Sequence, residues 1–166
     1  MISVTLLLAA LALPGLAQRP RVSPHEKITA TVGKANVSIE YGRPSLKGRK
    51  AVGGQLVPYG QVWRTGADEA TVLTTDADLV IGTLTVPAGS YALFTLPGEK
   101  EWQLIVNKNP KQWGAFSYKE AEDLGRVPMK VKSLGAPVEQ FTIALKDGMI
   151  VMSWENTEVS VPVKAK

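Results

Sequence analysis

Apolar and polar residues alternate with a period of two through much of the chain, in short runs separated by glycine, proline, asparagine and aspartate. Successive strand side chains point to opposite faces, so this pattern predicts half-buried strands joined by turns. Ile28, Ala30 and Val32 alternate, as do Val37, Ile39 and Tyr41, across Gly33-Lys34-Ala35-Asn36. Pairing Val32 with Val37 sets Ala30 against Ile39 and Ile28 against Tyr41, which predicts a hairpin with its apolar set on one face. Residues 91–96 and 102–107 predict a second hairpin. Pairing Leu96 with Trp102 aligns Phe94 with Leu104 and Ala92 with Val106, with Leu93 against Ile105 on the other face. Apolar pairs on both faces predict a central strand pair. A third hairpin turns at Asp147-Gly148, a dipeptide suited to a type I′ turn, whose two central residues both need positive φ. Around it Leu145 meets Ile150, Ile143 meets Met152 and Phe141 meets Trp154.

Further strands are expected at 70–75 and 79–86, with Asp76-Ala77-Asp78 turning between them, and at 157–163, where Val159, Val161 and Val163 share a face. Val127, Met129 and Val131 alternate as well, and Pro128 suggests an edge. Residues 117–124 open with a Ser-Tyr-Lys-Glu capping pattern and predict at most one short helix. Residues 42–60 form a long connection rich in glycine and proline, of a length usually tied to function or disorder. Evenly spaced short strands with little helix predict an all-β fold, an antiparallel β-sandwich with jelly-roll-like connections. There is no internal repeat and no sign of a second domain.

The amino terminus reads differently. Residues 4–13 are an apolar run, Pro14-Gly15 breaks it, and Gly15 and Ala17 put small residues at the two positions a signal peptidase reads, as in a secretory signal cleaved after Ala17. The run is shorter than the roughly 20 residues a spanning helix needs. The expectation is a signal peptide over 1–17, one domain over 18–166, a secreted or periplasmic location and no membrane span after cleavage. The 19 basic and 15 acidic side chains give a net charge of +4. Arg43, Lys47, Arg49 and Lys50 form the one basic cluster, in a loop without alternating aromatics, so a solvated loop is expected rather than a nucleic-acid surface. The absence of cysteine excludes disulfides, thiolate ligands and a cysteine nucleophile.

Chemically capable side chains concentrate in residues 56–73, which hold Tyr59, Trp63, Arg64, Asp68 and Glu69 together with glycines 60 and 66. His25 is the single histidine, which leaves a serine–histidine–carboxylate triad without a local motif and a zinc site with only carboxylates for its remaining ligands. Asp76 and Asp78 lack the calcium-loop spacing, and Gly53-Gly54 lacks the lysine and hydroxyl of a nucleotide loop. No metal or cofactor is therefore expected. Asp68 and Glu69 are the candidate catalytic carboxylates, but adjacent residues of an extended chain face opposite ways. A two-carboxylate hydrolase would need one of them with a distant partner such as Glu40 or Glu101. In the competing reading, Arg64 pairs with Asp68 or Glu69 and pins the loop to the sheet. Trp102 and Trp154 fall among core positions. Trp63 and Trp113 fall in loops beside Tyr59 and Phe116, where an aromatic can stack on the C–H face of a sugar. A ligand site is thus expected from Tyr59, Trp63, Arg64 and Trp113, with the loop braced by its charges and the Trp63 ring exposed.

Tyr41-Gly42-Arg43-Pro44, Lys47-Gly48-Arg49, the stretch 56–71 and the stretch 87–98 carry a resemblance, together with Trp102, Asn107-Lys108 and Gln112-Trp113-Gly114. In these motifs the chain resembles a bacterial secreted family known as a domain of unknown function, number twenty-nine eleven. The resemblance covers nearly the whole chain after residue 17. It implies an exported bacterial protein and assigns no activity. The family pattern carries asparagine where this chain has Asp68, which speaks against a catalytic carboxylate there and leaves Glu69 open. Three readings follow: a non-catalytic module binding a polar small molecule or glycan, a hydrolase using Glu69 with a second carboxylate, and a structural or interaction domain of the cell envelope. No complete catalytic constellation is present, which favours the binding module.

Overall fold

The computed structural model describes residues 22–166; the expected signal peptide and residues 18–21 lie outside the described residues. The strands are β1 (His25–Val32), β2 (Ala35–Gly42), β3 (Thr71–Thr75), β4 (Leu79–Ile81), β5 (Leu84–Val86), β6 (Gly89–Leu96), β7 (Trp102–Asn107), β8 (Asp123–Lys146) and β9 (Met149–Ala165). They form one sheet in the order β1-β2-β3-β6-β7-β8-β9-β4-β5, and every pairing is antiparallel. The 24-residue β8 changes partner along its length. Residues 123–129 pair with β7, and from Lys130 onward the partner is β9. The sheet thereby folds over itself, and the two halves bury a common core. Ile39, Leu73, Leu93 and Leu104 from one half pack in the same cluster as Leu79, Ile81, Ile150 and Val161 from the other.

Two further devices close the layers. The Tyr41 hydroxyl accepts the Ile143 N–H at 2.9 Å and donates to Glu26 at 3.0 Å, and burial raises its pKa above the usual value. Arg43 donates from Nε to the Phe141 carbonyl (3.1 Å) and from Nη2 to Thr142 Oγ1 (2.8 Å), and its Nη1 pairs with Glu26 (2.9 Å). Arg49 donates to the carbonyls of Leu46 and Ser45. Two arginines of the expected solvated cluster therefore hold backbone. The connection 42–60 is packed as well: Leu46, Ala51, Val52 and Val57 are buried, and the Glu155 carboxylate accepts the N–H groups of Ala51 (3.1 Å) and Val52 (2.8 Å).

The hairpins form with register differences that have physical causes. β1 and β2 turn through Gly33-Lys34 alone, so Val32 meets Ala35 and Ile28 meets Ile39. Gly33 has φ 60°, which suits a tight two-residue turn. This slip of two keeps the apolar face intact. β6 and β7 are offset by one, with Leu93 opposite Val106 and Phe94 opposite Ile105. Residues 91–95 are buried on both faces, so the pattern could not choose between adjacent registers. The pair is central, as expected. Its outer face is covered by a second cluster of Ala70, Ala92, Phe94 and Ile105 under Val62, Ala115 and Tyr118.

Other elements depart more. The run 79–86 breaks at Gly82 (φ 58°) into the β4–β5 hairpin, and the expected helix is a 3-10 turn at Glu120–Glu122. Pro128 sits opposite Gln103 on the part of β8 that pairs with β7 alone. The β8–β9 turn has φ 52° at Asp147 and φ 69° at Gly148, with Leu145 opposite Ile150 and Ile143 opposite Met152. Beyond Thr142 the register shifts near Glu155 (φ 53°), so Phe141 and Trp154 meet edge-to-face at 5.9 Å rather than as a register pair. Gly148→Val forces a β-branched residue to positive φ and should lower unfolding stability by more than about 1 kcal/mol in denaturant titration.

Candidate functional site

The central stretch is built around a gap in the β3–β6 ladder. Thr71, the first β3 residue, pairs with Leu93, and the next bridge to β6, at Thr95, is made by Trp63. Trp63 and Thr95 exchange both backbone hydrogen bonds, at 2.8 and 2.9 Å. Residues 64–70 are therefore extruded from the ladder as a loop. Its neck is closed by Thr71 N–H to the Arg64 carbonyl (3.1 Å) and by the Thr71 hydroxyl to the Thr65 carbonyl (2.6 Å). Thr65 (φ 59°) and Asp68 (φ 63°) turn the loop through left-handed conformations. Aspartate and asparagine tolerate that region best among non-glycine residues. Gly42 lies so close to the loop that a Cβ there would overlap the Ala67 carbonyl.

In this ladder position the Trp63 ring points inward. It is 7% exposed and stacks on Trp154 (centroids 6.0 Å, interplanar 14°), with Trp102 and Phe141 edge-on at 6.4 and 5.0 Å. The expected exposed Trp63 platform is thus a core aromatic. Arg64 faces the other way, yet the expected ion pair with Asp68 or Glu69 is not formed: among the described residues Arg64 makes no salt bridge, and its buried Nε has no hydrogen-bond partner. Tyr59 is 41% exposed and packs over Gly53. Trp102 and Trp154 are in the core, as read from the sequence.

Trp113 is 58% exposed, and its backbone is fixed. It bridges Glu69, while Ala70 N–H donates to the Gln112 carbonyl (2.9 Å) and Gly114 N–H to the Asp68 carbonyl (2.9 Å). Beneath it, Asn107 is fully buried, and its Nδ2 donates to Asp123 (2.9 Å) and the Lys119 carbonyl (3.2 Å). Asn107 Oδ1 accepts from Gln112 Nε2 (3.0 Å) and from Asn109 N–H (3.1 Å). At the far end of the loop Tyr118 donates to Asp123 (2.7 Å) and accepts from Arg126 (2.7 Å). Burial, and then the Asp123 carboxylate, push the Tyr118 phenol up to about 12.

Beside Trp113 runs an open groove of about 410 Å³, lined among others by His25, Glu40, Glu69, Val72 and Gln112. His25 Nε2 lies 3.1 Å from Glu40 Oε1. The groove gathers Glu69 and Trp113 from the expected set, with Glu40, the distant carboxylate considered as its partner; Tyr59, Trp63, Arg64 and Asp68 lie outside its lining. Gln112 and His25 were not expected there. Their presence follows from the outer faces of β1 and β2 meeting the 110–113 loop, which strand periodicity does not reveal. Asp76 accepts Asn36 N–H and Nδ2 at 2.7 Å each, which lowers its pKa, and Asp78 accepts Ala88 N–H (3.0 Å). Among the described residues no group of three histidines or carboxylates could hold a metal ion.

The profile of a protein family described as "protein of unknown function (DUF2911)" matches residues 23–163, which take in nearly every strand. The chain belongs to this family. No curated protein and no solved structure matches it. In this DUF2911 chain the Tyr41–Arg43 motif closes the two layers, and the Asn107 and Gln112 motifs carry the loop that presents Trp113. Stability should sort the central residues accordingly. Trp63→Ala is expected to cost about 3 to 5 kcal/mol in chemical denaturation, and Arg64→Ala about 1 kcal/mol or less.

Proposed function

We propose that the protein is a non-catalytic binding module for a polar ligand such as a glycan, with the groove beside Trp113 as its site. The observation that carries this reading is a large aromatic ring held exposed on a loop whose backbone is tied down on both sides. An ordered ring binds without paying ordering entropy and offers a flat apolar face. The carboxylates of Glu40 and Glu69 and the His25 imidazole beside it supply the polar groups that orient a ligand. Trp113→Ala should leave the melting temperature within a few degrees and abolish any oligosaccharide-induced thermal shift of the wild type. A shift that survives the substitution would remove the groove from consideration.

A second reading, a hydrolase, is favoured by the presence of Glu40 and Glu69 in the same groove. It requires turnover of an oligosaccharide that Glu69→Gln eliminates while binding persists. The envelope-domain reading is what remains if neither binding nor turnover is found. Export belongs to the same proposal, because the apolar run, its break and the small residues Gly15 and Ala17 match a bacterial secretory signal. Mass spectrometry of protein recovered from periplasm or medium should find a chain beginning at Gln18, and an intact Met1 on a cytoplasmic product would overturn it.

A further inference from the structure

We propose that the free edge of β1 docks an extended acidic peptide segment, which adds to the sheet as a strand and sets alternate apolar side chains into a cleft beside the β8–β9 turn. This surface is distinct from the groove beside Trp113, and the two linings share no residue. Strand edge, cleft and charge each bear on it.

β1 ends the sheet, and among the described residues no strand pairs with its outer edge. Its eight residues pair with β2 in one unbroken register, without proline or bulge. Exposed edges are ordinarily shortened, kinked or covered, because their unpaired N–H and C=O groups invite a further strand. β5, at the other end of the sheet, is three residues long, and its Leu84 lies against Gly125. Which peptide groups of β1 are open follows from the two-residue turn. Val32 and Ala35 flank Gly33-Lys34 as a hydrogen-bonded pair, so Thr31 and Asn36 form the next, non-bonded pair. Asn36 bears this out: its N–H donates to Asp76 and its carbonyl accepts the Asp76 N–H, both away from β1. The peptide groups of Thr31, and by the same alternation those of Thr29 and Lys27, therefore point away from β2 at the open edge.

Beside the last residues of this edge lies an open cleft of about 420 Å³. Ala30, Val32, Leu145, Met149 and Ala165 line it, and all are only partly buried. Val32, Leu145 and Ala165 also pack on the main core, so the core comes to the surface here. In an antiparallel addition, the pairing used throughout this sheet, residues opposite Thr29 and Thr31 turn their peptide groups to β1 and their side chains to the outer, solvated face. The residues between them turn their side chains inward, where the cleft receives them. Main-chain bonds then give affinity, and the cleft selects the alternate side chains.

Charge decides the sign of the segment. Lys27, Lys34, Lys146 and Lys164 stand along this edge and around the cleft, all exposed, and none makes an ion pair among the described residues. Asp147 is the one acidic side chain in the cleft lining. Glu40, opposite Lys27, lies 3.1 Å from the His25 ring, and Asp76 already accepts two bonds from Asn36. An acyl chain would fill the cleft but use none of the open peptide groups. A second copy joining antiparallel about Thr29 would set Lys27 of one copy opposite Thr31 of the other, adding positive charge to a basic edge.

Fluorescence-anisotropy titration of the full chain with capped peptides of equal length tests this. The first probe alternates glutamate and valine, and the second replaces each glutamate by lysine. Two more carry N-methyl groups on the glutamates or on the valines of the first. The acidic probe should bind at least about tenfold tighter than the basic one, and added salt should narrow the gap. Methylation of the glutamates, whose N–H groups meet β1, should abolish binding, whereas methylation of the valines, whose N–H groups turn away, should not. In the complex the amide protons of Thr29 and Thr31 should exchange with solvent more slowly than in the free protein. Thr29→Pro removes an outward donor without breaking a bond to β2 and should weaken binding at an unchanged melting temperature. The methylated peptides keep the test intact should that variant unfold. Lys146→Glu combined with Lys164→Glu should erase the preference for the acidic probe. Equal binding of the two charge forms, equal loss from both methylations, or protection centred on Trp113 instead of Thr31 would each overturn the inference. So would self-association of the protein that the acidic peptide does not reverse, because the edge would then belong to a second copy.

Discussion

The reciprocal hydrogen bonding of Trp63 with Thr95 is the constraint on which the upper part of the molecule depends. Because Trp63 takes the ladder position after Thr71, its side chain must follow the pleat and enter the core, where three other aromatic rings receive it. The residues between must then leave the sheet plane, and they do so through two left-handed turns and a close approach to Gly42. The extruded loop in turn offers backbone to the 112–114 segment on the outer face. One pairing thus sets the core aromatic, the loop and the position of the exposed Trp113.

Polar side chains in this protein act mainly on backbone. Arg49, Glu155 and Asn107 each satisfy N–H or C=O groups in connections that no ladder serves, and Arg43 and Asp76 do the same for Phe141 of β8 and Asn36 of β2. Long irregular segments can be packed against a core only if their backbone groups find such partners.

The fold was legible where a single face is buried or a turn has strict chemistry. Asp147-Gly148 located its hairpin because positive φ at two successive residues admits few sequences, and Val159, Val161 and Val163 marked β9 because only one of its faces meets the core. The β6–β7 register was not legible, since Leu93 and Phe94 are both buried and a slip by one offends neither face. Trp63 misled for a related reason: a single bridge residue between glycines carries too little alternation to announce itself as strand. Of the candidate site, Glu69 and Trp113 were visible as loop residues of unusual chemistry. His25, Glu40 and Gln112 join them only through tertiary packing, and nothing local in the sequence distinguishes them.

The change of partner along β8 has a consequence for how the molecule comes apart. A strand shared by two ladders cannot leave one without disturbing the other, because the residues either side of Lys130 belong to one continuous backbone. Local opening can begin at the outer strands β1 and β5, each of which has a single neighbour. Opening in the middle must release both ladders together. Amide protons of β7 and of the central part of β9 should consequently exchange with solvent by one common global route, as members of the same cooperative unit despite lying in different layers.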